Sequence, residues 1–132
     1  MAFRWPTIAE VGAEEVTDCL AQNDEDSARR LAFRFVEQFD KADEIDRRRM
    51  VGVAPLATGD RRYDALLASL VEYCCVRHDV NPPPWVEDPG RFLEEWWFVS
   101  GIRSLHADAV VHSPVSFKRR GVFITEDSLT YA

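Results

Sequence analysis

The sequence lacks any long apolar run. Its longest uncharged stretches, such as residues 50–59, contain Gly, Pro and Thr and fall well short of the roughly 18 apolar residues that a membrane crossing needs. Residues 7–15 already carry three glutamates, which is unlike the apolar centre of a secretory signal. We therefore expect neither a membrane span nor a signal peptide.

Cysteine and glycine are also scarce. The three cysteines are an odd number, and two of them, Cys74 and Cys75, are adjacent, so no disulfide framework is predicted and a reducing cytoplasm fits best. The six glycines are scattered, and the sequence contains no glycine-rich phosphate loop, no G-x-S-x-G elbow and no H-E-x-x-H pair. Hydrolase and transferase chemistry therefore has no visible residues to carry it.

The sequence contains fewer basic than acidic residues. Sixteen Lys and Arg residues stand against 23 Asp and Glu, which gives a formal net charge of −7 and a pI of about 4.9. Such a chain is a poor electrostatic match for a phosphate backbone or an anionic membrane. Residues 1–60 carry most of the acidity, at −5 (8 basic and 13 acidic), against −2 for residues 61–132 (8 basic and 10 acidic).

The sequence does contain enough large apolar side chains for a folded core. Of its 132 residues, 46% are apolar and 11% are aromatic, which indicates a single domain over residues 1–132. Within it we distinguish an acidic N-terminal helical arm, residues 1–50, from a tryptophan-rich module, residues 58–132. The predicted fold class is mainly α: a small bundle of four longer helices plus short C-terminal helices, which allows a minor strand at residues 122–124.

Helical periodicity and capping signals give the predicted bounds. A capping box of Thr7 and Glu10 starts a helix over residues 7–22, and a second helix starts at Asp24 and continues as a charged stretch to Arg49. Prolines make residues 81–85 an extended strut. A third helix is predicted over residues 60–78, with Thr58 or Asp60 as its N-cap, and a fourth from Asp88-Pro89 to about Gly101. A short helix over 104–112 is followed by a single turn that begins at Ser113-Pro114 and ends at Gly121. Residues 125–132 are predicted to form a turn and a ragged end.

Aromatic residues concentrate between Trp85 and Phe98. On a helix, the rings of Phe92, Trp96, Trp97 and Phe98 would cover nearly three directions, so they cannot all face one small core. We expect most of them in the core, and the rest to form an apolar patch suited to a protein partner. The predicted partner-binding residues are Trp85, Phe92, Trp96, Trp97, Phe98, Arg119 and Arg120.

Three other groups of side chains are candidates for chemistry. Cys74 and His78 lie one helical turn apart, but a structural zinc site needs four ligands and no second pair exists, so we interpret Cys74 as a packed core residue. His106, Asp108 and His112 could serve a small enzyme, although their spacing on a helix puts the two histidines about 120° apart. We expect no metal and no cofactor. Contacts to DNA phosphates would come from Arg29, Arg30, Arg34, Arg47, Arg48 and Arg49.

Four motifs carry a resemblance to a known family. They are TGDRRYDALL (residues 58–67), PWVEDPGRFL (84–93), Ser113-Pro114 and RRGVFI (119–124). Together they resemble a module of uncharacterised actinobacterial proteins, over a little more than half of the chain. In many relatives that module follows an N-terminal helix-turn-helix, often beside a nucleotidyltransferase-like gene, and is similar to antitoxins of toxin–antitoxin pairs. The resemblance implies a regulator or a neutralising partner and brings no catalytic residues.

The resulting functional hypothesis is a non-catalytic antitoxin. It would neutralise a cognate, nucleotidyltransferase-like toxin by direct binding, with the acidic helices facing a basic cleft. Two alternatives stay open: a transcriptional regulator that binds operator DNA as a dimer, and a small enzyme that uses His106, Asp108 and His112. Residues 1–50 contain no clear helix-turn-helix, which weighs against the first alternative.

Overall fold

The first helical region begins at the predicted capping box. In the computed structural model, which describes residues 3–100 and 102–129, the Thr7 hydroxyl accepts a hydrogen bond from the Glu10 N–H, and the Glu10 carboxylate accepts one from the Thr7 N–H. Helix α1 (Ile8–Glu10) passes into a π-helical segment (Val11–Val16) and then into α2 (Thr17–Ala21). Asn23, with a φ of 58°, ends the region where the sequence predicted an end.

The π-helical segment lies tightly against the loop that precedes the central helix. A Cβ atom added to Gly12 would lie 2.8 Å from the Cβ of Pro55, so only glycine allows this approach. The Thr17 hydroxyl donates to the Gly12 carbonyl at 2.6 Å inside the widened turn. The N-terminal helices are thereby fixed to the start of the second half of the chain.

The predicted long helix from Asp24 to Arg49 is two helices. Helix α3 (Glu25–Lys41) begins at the Asp24 cap, as predicted, but the backbone at Ala42 is extended. The Asp43 carboxylate then accepts a hydrogen bond from the Asp46 N–H at 2.8 Å and starts α4 (Glu44–Val51). The prediction missed this break because the charged stretch hides a second aspartate cap.

Helix α5 (Arg61–Arg77) is the centre of the fold. The Asp60 carboxylate accepts a hydrogen bond from the Arg62 N–H, so of the two predicted caps Asp60 is the one used. The helix packs against α3 on one side and against the C-terminal elements on the other. Its buried apolar side chains therefore lie on nearly all sides: Tyr63, Ala65, Leu66, Leu67, Ala68, Leu70, Val71, Cys74 and Cys75.

The largest departure from the prediction follows α5. The proline strut ends two residues early, because Pro84–Glu87 form a 3-10 turn that a proline at its first position suits. A second 3-10 turn covers only Pro89–Arg91, and Phe92 is already extended. The helix predicted from Asp88 to about Gly101 is therefore wrong within the described residues; Gly101 itself lies outside them.

The segment is extended because it pairs with residues that are distant in the sequence. Strand β1 (Trp97–Phe98) lies parallel to β2 (Val122–Phe123), so the minor strand predicted at residues 122–124 is confirmed. Pairing with a distant strand satisfies main-chain groups as well as a helix would. The N–H groups of Leu93, Trp97 and Val99 donate to the carbonyls of Arg120, Gly121 and Phe123, respectively.

Two short helices lead from β1 to β2. A 3-10 turn (Arg103–Leu105) precedes α6 (His106–His112), and α7 (Val115–Lys118) is the predicted single turn before Gly121, whose φ is 79°. The Ser113 hydroxyl does not cap α7; it donates to the Ala109 and Ile124 carbonyls and accepts from the Ile124 N–H. A last 3-10 turn covers Glu126–Leu129, and residues 130–132 of the predicted ragged end lie outside the described residues.

One apolar core joins the elements, from Ile8 on α1 to Ile124 after β2. The protein is thus mainly helical with one small parallel sheet, as the sequence predicted. Among the helices of the described residues, none combines the length and the apolar character that crossing a membrane requires.

A fully buried arginine, Arg120, connects α5 with the chain on both sides of β1. Its guanidinium donates to the Glu72 carboxylate on α5, to the Ser116 carbonyl at 2.7 Å and to the Val86 carbonyl at 2.8 Å. Burial lowers the pKa of Arg120, and the hydrogen bond with Glu72 raises it. One side chain therefore serves two carbonyls and, together with Arg119, the Glu72 carboxylate.

Replacing Arg120 with alanine is expected to lower the free energy of unfolding by about 3 kcal/mol or more, because it removes the buried one of the two arginines that pair with Glu72 and leaves two carbonyls without this donor. Arg119→Ala is the matched control: Arg119 also bonds Glu72, but it is exposed, and we expect a loss of about 1 kcal/mol or less. Urea denaturation of both variants measures the difference. Equal losses would show that burial of Arg120 is unimportant.

Candidate functional site

Two residues of the PWVEDPGRFL motif have structural roles. The Trp85 indole N–H donates to the Val51 carbonyl at 2.9 Å, and the Arg91 guanidinium lies 5.0 Å from the centre of the Trp85 ring. Arg91 is buried and donates to the Pro55 carbonyl at 2.8 Å. These contacts hold the loop after α4 against the turns after α5. Trp85, a predicted partner contact, therefore forms contacts within this chain.

The RRGVFI motif completes the same framework. The Phe92 ring lies against the guanidinium groups of both Arg119 and Arg120, at 5.1 and 5.0 Å from their central carbons. Arg119 forms ion pairs with Glu72 and Glu87 at the surface. Arg120 is fully buried and cannot touch a partner, so the structure corrects its prediction as a contact residue.

A different part of the predicted set remains at the surface. The Trp96 side chain is 65% exposed, and its ring centre lies 4.8 Å from that of Phe123. Phe98 stacks on Phe123 at 5.2 Å and on His106 at 4.1 Å. We call these four residues the Trp96 surface.

Strand geometry explains which tryptophan is exposed. Successive side chains on a strand point to opposite faces. Trp97 therefore faces inward, with its ring 5.2 Å from Tyr63 and 5.0 Å from the Arg62 guanidinium, while Trp96 and Phe98 share the outer face. The sequence analysis assigned these residues to a helix and could not separate them.

The main chain of β1 offers further contacts at this surface. In a parallel pair, a residue whose two neighbours donate to the partner strand points its own N–H and C=O away from that strand. Trp97 and Val99 donate to the chain of β2, so the N–H and C=O of Phe98 face away from it. This free edge could pair with an extended segment of another protein.

Exposed aliphatic residues continue the apolar character nearby. Helix α6, which packs on β2, buries Ala109 but leaves Val111 exposed, and Val115 at the start of α7 is also exposed. An exposed group of large apolar side chains is typical of a protein-binding site. The Trp96 surface and α6 together therefore expose several large apolar side chains in one part of the described chain.

The predicted enzyme residues are divided between two places. Asp108 and His112 form an exposed pair 3.5 Å apart on α6. His106 instead stacks on Phe98, and its Nε2 lies 3.2 Å from the Ser100 carbonyl. No contact in the described residues joins His106 to the other two.

Cys74 and His78, which lie one helical turn apart, are likewise separated. Cys74 is buried in the core, and His78 Nε2 lies 2.6 Å from an Asp40 carboxylate oxygen. Burial raises the pKa of Cys74, and that of Cys75 to about 12, which keeps both thiols protonated. Within residues 3–100 and 102–129, no group of three or more His, Cys, Asp or Glu side chains is placed to hold a metal ion.

The arginines proposed for DNA contacts all bond to this chain. Arg47 donates to the Phe39 and Asp40 carbonyls, and Arg49 donates to the Trp5 carbonyl. Phosphate binding would have to compete with these contacts. The other four pair as follows: Arg29 with Asp26, Arg30 with Ser27, Arg34 with Glu15, and Arg48 with Glu44.

The sequence analysis missed two members of the surface, His106 and Phe123. Phe123 is nearly buried and supports both exposed rings, and His106 covers the far side of Phe98. The available signal was the alternation of Trp96, Trp97, Phe98 and Val99, which fits a strand with one buried face. No family model, no curated protein and no solved structure matches the chain.

The two adjacent tryptophans should differ in their effect on stability. Trp97→Ala is expected to lower the free energy of unfolding by about 3 kcal/mol, because the indole packs against Tyr63 and the core. Trp96→Ala should cost about 1 kcal/mol or less, since it loses mainly one aromatic contact. Chemical denaturation checks both values, and a larger loss for Trp96 would contradict the assignment.

Proposed function

We propose that this protein is a non-catalytic protein-binding protein that contacts its partner through the Trp96 surface. The observation that carries the proposal is the 65% exposure of Trp96 within a cluster of stacked rings. A large aromatic ring supported from below loses little conformational freedom on binding, which suits it to be a contact that dominates affinity.

The partner that we propose is a cognate toxin. The motifs at residues 58–67, 84–93, 113–114 and 119–124 resemble those of a module similar to antitoxins, and this resemblance is the reason for choosing a toxin over other proteins. The scarcity of cysteine supports a cytoplasmic location for the complex. Neutralisation would come from direct binding, without any reaction performed by this chain.

The acidic N-terminal region supports a partner with a basic cleft. Glu14 and Asp18 lie one turn apart, both are exposed, and neither forms an ion pair with another described residue. Acidic side chains of this kind accelerate association with a basic surface and compete with an anionic substrate for it. Most other acidic residues of the region pair with arginine, as in Glu15–Arg34 and Asp26–Arg29.

Co-expression with the products of neighbouring genes tests the proposal. We expect one of them to co-purify with this chain and to lose its toxicity when the chain is present. Trp96→Asp should weaken that complex by at least about thirtyfold, as expected for a residue that dominates an interface.

Ile45→Asp is the matched control. Ile45 is a large apolar residue that is 81% exposed on α4, outside the Trp96 surface, and its replacement should leave affinity unchanged. The proposal fails if no neighbouring product binds, or if the two variants bind equally well.

A further inference from the structure

A groove separates α3 from the chain that follows the two strands. It consists of two adjoining cavities of about 470 and 370 Å³, which share Arg30, Phe33 and Ser128. The groove thus lies beyond the carboxyl ends of parallel strands, a common position for binding sites. Its other lining residues are Asp26, Arg29, Leu31, Arg34 and Glu37 on α3, Val99, Ser100 and Ile102 after β1, and Thr125 and Leu129 after β2.

The groove is long enough for a short extended chain. Its α3 side runs from Asp26 to Glu37, which is about 16 Å along a helix. That distance equals about five residues of extended chain. Its apolar lining comes from the side chains of Phe33, Val99 and Leu129.

Arg30 gives the groove a positive charge that forms no ion pair with a described carboxylate, although it contributes, after the hydrogen bonds from Ser27, to the lowered pKa of Asp24. Its two neighbours in the groove are already paired, Arg29 with Asp26 and Arg34 with Glu15. Arg30 donates only to the neutral Ser27 hydroxyl, at 3.0 Å, and has no carboxylate within ion-pair distance among the side chains that the structure describes. A guanidinium of this kind fits a carboxylate through charge and paired donors.

The groove continues the Trp96 surface. Ser100, which lines the groove, accepts a hydrogen bond at its carbonyl from the ring nitrogen of His106 if that nitrogen carries the proton. His106 in turn stacks on Phe98. The groove and the Trp96 surface are therefore linked through Ser100 and His106.

We infer that the groove binds an extended segment of the protein partner in which one acidic residue is flanked by large apolar residues. The carboxylate pairs with Arg30, and the apolar side chains lie against Phe33, Val99 and Leu129. The inference rests on the proposed function, because it identifies which part of a protein partner is recognised. A partner attracted to an acidic protein is basic overall, so a required acidic residue makes the recognition selective.

A random library of 12-residue peptides displayed on phage tests the inference without knowledge of the partner. Selected on the immobilised full chain, it should be enriched in peptides with one Asp or Glu between Leu, Ile or Phe residues. Replacing the acidic residue of a selected peptide with its amide should weaken binding at least about tenfold, as expected for a charge-assisted hydrogen bond.

Two protein variants locate the contact. Arg30→Glu should weaken binding of the acidic peptide by at least the same factor. It should not change the affinity for the peptide in which the acidic residue is replaced with its amide. Arg48→Glu removes an arginine on α4 that is exposed and paired with Glu44, and should leave binding unchanged. Circular dichroism of each variant confirms that it is folded.

The outcomes separate this inference from the proposed function. Enrichment of peptides without an acidic residue, no enrichment at all, or equal binding to Arg30→Glu and the unchanged protein would each overturn the inference. A toxin complex that depends on Trp96 would leave the proposed function standing in any of these cases. Binding of acidic peptides that is lost in Arg30→Glu would support the inference about the groove even if no toxin binds.

Discussion

The hydrogen bonds of the buried Arg120 guanidinium are the constraint on which the C-terminal half of this protein depends. One side chain links Glu72 on α5, the carbonyl of Val86 before β1 and the carbonyl of Ser116 on α7. Burying an arginine is costly, and the three bonds that offset this cost go to three different elements, so separating any of them from the others loses a buried hydrogen bond. The strand that follows, β2, is thereby placed beside β1, and the Trp96 surface exists because that pairing forms.

The motifs at residues 84–93 and 119–124 have a structural role in this arrangement. Trp85 contacts Arg91, Phe92 contacts Arg120, and the two arginines donate to carbonyls that hold loops against α5. These side chains stabilise the fold. The binding residues that we propose, Trp96 and Arg30, lie outside these contacts, where substitution changes recognition with little cost to stability.

The N-terminal helices and α5 were predictable because capping and apolar periodicity agree there, as at Thr7, Asp24 and Asp60. The structure of the segment after Asp88 was not predictable from the sequence. Its cap and proline favour a helix, whereas its pairing with residues 120–123 favours a strand. Only tertiary structure decides between the two. The partner-binding prediction accordingly contained the exposed Trp96 and the half-buried Phe98, but also Arg120, whose burial no local pattern reveals.

Amide hydrogen exchange at single-residue resolution, with and without the product of the neighbouring gene, tests the central claim most directly. The claim is that a framework built on Arg120 leaves the outer edge and face of β1 free to bind a protein. In the free chain, the Phe98 amide should exchange faster than those of Trp97 and Val99, which are bonded to the chain of β2. In the complex, the Phe98 amide should become protected. Protection confined to other parts of the chain, with Phe98 unchanged, would contradict the account.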